Sequence, residues 1–200
     1  MAGKAKQLMD AGEKSFSDEA VIAACFALIA EKGLGKTRLS AIALRLAVPL
    51  GEVYQRFASV DAITAAFLDR VDAQMMENIG AESDKRDMYF DMLMSRFDTL
   101  QEHREGVKRW LQDLPKFPGA LAFVLRRWEK SLSLMLDVAM DSPRFPIKKI
   151  GLAAVYFSSL REWMKDDSAD MGKTMSSVDH NLGRAEEFAS KYLGGKHAKG

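Results

Sequence analysis

A single cysteine, Cys25, leaves the chain without an intrachain disulfide and without a thiolate metal cluster, which suits a reducing compartment. Charge of one sign is also missing. The 29 Lys and Arg stand against 28 Asp and Glu, a net charge of +1, so partners must respond to local patches rather than to the field of the whole chain. No window reaches the roughly 18 uncharged apolar residues of a membrane span. The opening MAGKAKQLMDAGEKSF lacks the apolar stretch of a signal peptide. The expectation is a soluble, cytoplasmic protein with no transmembrane segment. His103, His180 and His197 are scattered, with no metal-ligand spacing among them, and no glycine-rich phosphate loop is present. Asp166, Asp167 and Asp170 beside Ser168 have the look of a divalent-ion loop, but a helix break with Ser168 or Asp170 as its cap explains them more cheaply. An enzyme is the least expected class, and no catalytic residue, metal or cofactor is expected.

What is present is helical periodicity, almost everywhere. Ile22, Cys25, Phe26 and Ile29 follow i, i+3, i+4, i+7 spacing, and EKGLGK ends that first helix with two glycines. Thr37 is placed to cap a second helix with Leu39, Ile42, Ala43 and Leu46 on its inner face. After AVP a short third helix carries Leu50, Val53, Tyr54 and Phe57 on one side. Ser59 caps a fourth, with Asp61 in its first turn, running through Ile63, Phe67, Val71 and Met75 to about Ile79. The polar GAESDKRD, containing the cap candidate Ser83, marks a break near residue 81.

Beyond it, Phe90, Leu93, Met94 and Phe97 define a helix that ends before QEHREG, and Val107, Trp110, Leu111 and Leu114 define a brief one ended by LPKFPG. A long helix from about Ala120 to Met140 turns Leu121, Leu125, Trp128, Leu132 and Met135 inward, until DSPRFP breaks the chain. From Ile147 to Met164 the pattern is apolar nearly all round, as in a helix covered on several sides. The last helix spaces Met171, Met175, Val178, Leu182, Ala185, Ala189 and Tyr192 by alternating steps of four and three, an a/d seam of about three heptads. These two helices are expected to form half of a four-helix dimer bundle, with Leu152, Tyr156, Met175, Val178, Leu182 and Ala185 at the contact; packing within one chain is the alternative. The fold class is all-α, about nine helices.

Three helices whose second and third meet at a tight corner follow the helix-turn-helix plan, in which the third lies in the major groove. The segment between residues 18 and 68 resembles the TetR family of transcriptional regulators. It has Glu31, Lys32 and Gly33 ending helix one, Thr37 opening helix two, the pair Ile42 and Ala43, then Gly51, Tyr54 and Phe57 spaced G-x-x-Y-x-x-F. The resemblance implies a homodimer with a DNA-binding head and a larger domain that holds a small ligand. Such a ligand would alter the separation of the two heads and take them out of register with successive major grooves. Four positions depart from the family's habit of glycine at the corner, Ser-Lys or Ser-Arg opening helix three and lysine near the start of helix four: Ala47, Pro49, Leu50 and Val60 stand there. Ala47 turns the corner at a cost if its φ is positive, and Pro49 suits a first helical turn. The DNA-facing candidates are Lys36, Thr37, Arg38, Arg45, Pro49, Gly51, Glu52, Tyr54, Gln55 and Arg56. Among them Thr37 and Tyr54 are suited to phosphates and Arg56 to guanine, while Glu52 either repels phosphate or accepts from the amino group of cytosine. From Met1 to Phe57 there are eight Lys and Arg against six Asp and Glu, with Lys4, Lys6 and Lys14 on a basic arm.

Residues 151–188 are similar instead to the C-terminal domain of the lipid-binding protein family of coenzyme Q (ubiquinone) biosynthesis, which resembles TetR regulators in fold but acts on lipids. The carried features are Tyr156, Trp163, Asp166 to Ser168, Asp170, Thr174, Asp179 and Leu182, and RFDTLQEHREGV points the same way. Twelve Met and eleven Phe supply adaptable apolar walls. Those proteins continue into a further amphipathic helix that touches membranes, whereas this sequence reads YLGGKHAKG there. The pocket candidates are Phe90, Met94, Phe97, Trp110, Leu125, Trp128, Tyr156 and Trp163.

The domain reading is a flexible basic arm (1–14), a helix-turn-helix head (15–60), a ligand-binding and dimerisation domain (61–193) and a flexible tail (194–200). The leading functional expectation is a ligand-responsive repressor on a palindromic duplex operator. The alternative is a lipid or quinone binder of the same fold, with its DNA binding weakened or lost.

Overall fold

The computed structural model describes residues 16–77, 84–139 and 146–192. The arm, the tail, Ile79, Ser83 and Met140 lie outside them. Among the described residues there are nine α-helices and no strand. They are α1 (Asp18–Lys32), α2 (Leu39–Leu46), α3 (Leu50–Arg56), α4 (Val60–Glu77), α5 (Lys85–Gln101), α6 (Arg104–Asp113), α7 (Pro118–Val138), α8 (Pro146–Trp163) and α9 (Gly172–Tyr192). Short 3-10 turns follow α1 and α6. None of the helices is long and apolar enough to cross a membrane.

The chain divides into two compact units. The first comprises residues up to Ala66 together with Glu105–Asp113, and the second comprises Phe67–Arg104 and Leu114–Gly200. A single boundary near residue 60 therefore misses one segment. Helix α6, expected in the larger domain, packs with the head.

The first unit is built on α1. Ser17 caps it by accepting from the Ala20 N–H at 3.1 Å, and Val21, Ile22, Cys25, Phe26 and Ile29 are buried along it. Burial pushes the Cys25 thiol up to about 12, so this side chain is a small apolar filler. Helix α6 lies directly on α1. A Cβ at Gly106 would come within 2.3 Å of the Phe26 carbonyl oxygen, so only glycine permits this approach. One turn on, the Trp110 ring meets Phe26 edge-on at 5.9 Å. The end of α1 is fixed by Gly33, whose φ of 80° is open to glycine and which also lies against Asp113. The buried Asp113 carboxylate accepts from the Leu34 N–H at 3.0 Å and from Arg109 at 3.3 Å.

In the second unit α9 packs on α8 and α5, and α8 also contacts α7. Asp84, rather than Ser83, caps α5, accepting from the Asp87 N–H at 2.9 Å. The inner face of α7 is Val124, Ser131, Leu132, Met135 and Leu136. Leu125, expected inward, is 47% exposed, since it lies a full residue off that stripe. The turn between α8 and α9 is organised by Asp166, whose carboxylate accepts from the Thr174 N–H and hydroxyl, both at 2.8 Å, and from Ser168. Burial alone would push this carboxyl up, but the hydrogen bonds from Ser168 and Thr174 outweigh it and hold it far below the usual range. Asp170 accepts from the Gly172 N–H at 3.2 Å. The aspartates thus serve a helix break, with Asp166 as its main acceptor.

Candidate functional site

The corner between α2 and α3 is closed by backbone hydrogen bonds. Ala47 adopts φ 54° and ψ 40°, the left-handed region, and its N–H donates to Leu44 at 3.2 Å. The Val48 N–H donates to the Ala43 carbonyl at 3.0 Å. These two bonds form the Schellman pattern that usually has glycine at its left-handed position. Pro49 follows with φ −60° and ψ 138°, and its carbonyl accepts from the Glu52 N–H at 3.1 Å. Proline therefore serves as the residue that starts α3, where its missing N–H costs nothing.

Helix α3 is anchored by Val53 and by Phe57 at its end, both buried. Leu50 and Tyr54, expected on the same inner side, are instead 47% and 60% exposed. With seven residues, the helix has only one side against the unit, and the i, i+4 pair Val53 and Phe57 fills it. Leu50, Gly51, Glu52, Tyr54, Gln55 and Arg56 all face outward.

The basic candidates are less available than the sequence suggests. Thr37 neither caps α2 nor faces outward: it is buried, its hydroxyl donates to the Gly33 carbonyl at 3.0 Å, and Arg38 stands at the cap position. Arg38 donates to the Gly35 carbonyl at 2.9 Å. Arg45 pairs with Glu31, whose carboxyl is held below its ordinary value by the hydrogen bond from Arg45. Arg56 pairs with Asp18 at 2.7 Å, donates to the Phe16 carbonyl and sits over the Phe16 ring at 5.3 Å. Exposed pairs of this kind are weak, so a phosphate can compete for either arginine. Lys36 is exposed at the end of the turn after α1. Over its described residues the first unit has seven Lys and Arg against seven Asp and Glu.

In the second unit the aromatic pocket candidates fill space rather than surround it. Phe97 stacks on Tyr156 at 5.8 Å and on Trp163 at 6.4 Å, and Trp128 meets Tyr156 edge-on at 6.0 Å. The Trp163 indole N–H donates to Gln101 at 3.0 Å. Beneath them the buried Arg96 pairs with Asp72 and lies 5.4 Å from the Tyr156 ring centre, and the Ser131 hydroxyl donates to Asp72 at 2.7 Å. Burial works against the Arg96 charge, but Tyr156 and Asp72 outweigh it. Met94 is buried, Phe90 is half-buried and Trp110 belongs to the first unit.

The space lies elsewhere, in a cavity of about 1060 Å³ between α5, α7, α8 and α9. Leu136, Leu152, Val155 and Leu182 are buried side chains along it; Ile147, Ile150 and Phe188 are exposed ones. Lys85, Arg86, Lys148 and Arg184 also line it, against the one carboxylate of Glu186. Arg86 pairs with Asp179 at 2.6 Å. None of the eight pocket candidates borders this cavity.

Of the residues expected at a dimer contact, Leu152, Tyr156, Val178 and Leu182 are buried within one chain. The a/d seam of α9 meets its own α8, the alternative left open by the spacing. Met175 remains exposed and Ala185 half-buried. An exposed apolar stripe runs along α8 through Ile147, Ile150, Ala154 and Phe157, the first three of them bordering the cavity, with Ile150 68% exposed.

Comparison with solved structures gives the fold. The structure of a TetR transcriptional regulator from Nitrosomonas europaea superimposes with a TM-score of 0.74 at 21% identity, over 85% of this chain and 98% of that one. The chain has the TetR fold. A second TetR-family structure, from a Rhodococcus species, gives a TM-score of 0.62 at 19% identity over 85% and 97%. The multidrug binding protein EbrR, complexed with imidazole, gives 0.53 at 22% identity over 82% and 88%. Neither a protein-family model nor a curated sequence matches the chain.

Within this TetR fold three groups of residues carry geometry that the periodicity does not mark. Asp113 reads as an ordinary charged residue ending a helix, yet it holds the start of the turn after α1. Gly106 reads as a weak helix position, yet it sets the contact between α6 and α1. The cavity lining combines small and large residues from four helices, and no single helix announces it.

Proposed function

We propose that the protein is a DNA-binding transcriptional regulator of the TetR kind, acting in the cytoplasm as a homodimer and as a ligand-responsive repressor on a palindromic duplex operator. The observation that carries this reading is α3 itself. It follows a closed corner at Ala47, is anchored by Val53 and Phe57, and presents its remaining residues outward, with no described element covering them. That is the arrangement a recognition helix needs to enter a major groove. The homodimer is supported by the outward stripe of Ile150, Ala154 and Phe157 on α8. Ile150→Glu is expected to halve the sedimentation mass.

The test of DNA binding is selection from a random duplex pool, with Tyr54→Ala/Gln55→Ala as the control. A palindrome recovered by the native chain at moderate salt and lost in the control supports the reading. Binding that is blind to sequence and vanishes with salt overturns it. For ligand response, the cavity is the seat of a small apolar or lipid-like molecule, its volume being that of ordinary ligand sites. Gly151 borders it, and a Cβ there meets nothing within 4 Å, so Gly151→Trp is expected to occupy the space, with an unchanged thermal midpoint as the check that the fold is kept.

A second reading, a non-enzymatic lipid or quinone binder of the same fold acting in ubiquinone biosynthesis, is favoured by one observation: the even charge balance among the described residues of the first unit, which offers phosphates no net attraction there. Mass spectrometry of organic extracts of the purified protein tests it. A co-purifying lipid that Gly151→Trp expels, together with failure of the duplex selection, puts this reading first.

A further inference from the structure

We propose that α3 reads a half-site marked by pyrimidines, in which the Glu52 carboxylate accepts a hydrogen bond from the 4-amino group of a cytosine and Leu50 packs on the 5-methyl group of a thymine. This rests on the DNA-binding reading above and names the kind of site that is bound.

The helical period divides the outward surface of α3 into three i, i+4 pairs. Leu50 and Tyr54 form one flank, Gly51 and Gln55 the middle, and Glu52 and Arg56 the other flank. The middle is low: Gly51 is exposed, and a Cβ there would meet nothing within 4 Å, so the helix backbone can approach a groove floor closely. Close approach brings the side chains on either side to base edges rather than to phosphates.

On the charged flank the two residues do not neutralise each other. Arg56 is turned to Asp18, at 2.7 Å, and to the Phe16 carbonyl and ring. The Glu52 side chain makes no hydrogen bond or ion pair with any described residue. An outward carboxylate brought to a duplex is repelled by phosphates and is satisfied only by a donor. In the major groove the donors are the amino groups of cytosine and adenine. Adenine sets its N7 acceptor beside that amino group, where it opposes the carboxylate. Cytosine has a C–H there. The match is therefore cytosine.

On the other flank Leu50, 47% exposed, follows the exposed Pro49 and has no polar atom to offer. The apolar feature of the major groove is the thymine methyl. Charge points the same way. Seven cationic side chains stand against seven anionic ones among the described residues of the first unit, an even balance that leaves base contacts a share of the binding to supply.

The experiment uses the full chain. A site is selected from a random duplex pool, and affinities are then measured by fluorescence anisotropy for single-base variants of it. The expected site has cytosine at one fixed position in each half, preferred about fivefold or more over the other bases. Glu52→Ala loses that preference. Glu52→Gln moves it toward adenine, whose N7 and amino group suit an amide. Replacing the contacted thymine by deoxyuridine, which removes only the methyl group, weakens the native chain about two- to fivefold and leaves Leu50→Ala unaffected. A cytosine preference that survives Glu52→Ala overturns the inference while leaving the DNA-binding reading intact. So does a Glu52→Ala variant that binds more tightly with unchanged base preference, since the carboxylate then only repels phosphate. Selection of no sequence at all overturns both.

Discussion

Both units carry ion pairs at the surface, but they differ in what they bury. In the first, Arg45 pairs with Glu31 and Arg56 with Asp18 at the surface, and the buried polar side chains of the core that holds Phe26 and Trp110 are Thr37, Thr64 and the carboxylate of Asp113. In the second, an ion pair is buried: Arg96 and Asp72 sit under Tyr156 and are completed by Ser131. The first unit is packed closely enough between α6 and α1 to exclude a Cβ at Gly106, whereas the second leaves a cavity of about 1060 Å³. A tightly packed, apolar-cored unit holds short helices such as α3 in one orientation, which suits work done on the surface. A unit with an ionic core and empty volume is fixed by directional contacts and keeps room for a guest.

This contrast can be broken or sharpened by substitution. The largest effect is expected in the ionic core. Arg96→Met strands the Asp72 carboxylate and is expected to cost about 3–5 kcal/mol in denaturant unfolding. Double replacement of Arg96 and Asp72 by apolar residues should recover much of that; no recovery would mean that packing around Tyr156, not charge, holds the unit. Next comes the tight contact of the first unit. Gly106→Ala forces α6 away from the Phe26 carbonyl and is expected to cost about 1–3 kcal/mol, with the Trp110 fluorescence altered.

Asp166→Asn should cost about 1–2 kcal/mol, the worth of a helix cap. Because the folded carboxyl is held below its unfolded value, its contribution is fully present above about pH 4 and is lost as pH falls through the folded value. The variant is therefore expected to lose part of the acid dependence of stability, which urea midpoints at pH 7 and pH 3 will show. The smallest effect has the opposite sign. Ala47→Gly relieves the left-handed φ of 54° and is expected to stabilise by about 0.5–1 kcal/mol, raising the thermal midpoint.

Much of this was readable from spacing. Helix periodicity located the helices, the G-x-x-Y-x-x-F pattern located α3, and the missing corner glycine anticipated the strained Ala47. Ser59 caps α4 as expected, accepting from the Ala62 N–H at 3.1 Å. Where pattern and structure differ, the reasons are local. Leu50, Tyr54 and Leu125 are apolar and lie near the inner stripe, but a short or half-covered helix buries only the positions its neighbours reach. Thr37 is a cap by residue type, yet its hydroxyl donates to the Gly33 carbonyl instead. The aromatic residues suit a pocket wall by their size, but the same size lets Tyr156 and Trp163 stack on Phe97.

By itself the sequence determined the helices, their order and the corner between α2 and α3, because hydrogen bonding within a helix and at its ends depends on residues a few positions apart. Only the tertiary structure decided that α6 packs with the head, that the seam of α9 closes on its own α8, and that the cavity opens away from the aromatic cluster. Each of these depends on which faces meet between segments far apart in sequence, and the apolar pattern of one helix records that a face is covered without recording by what.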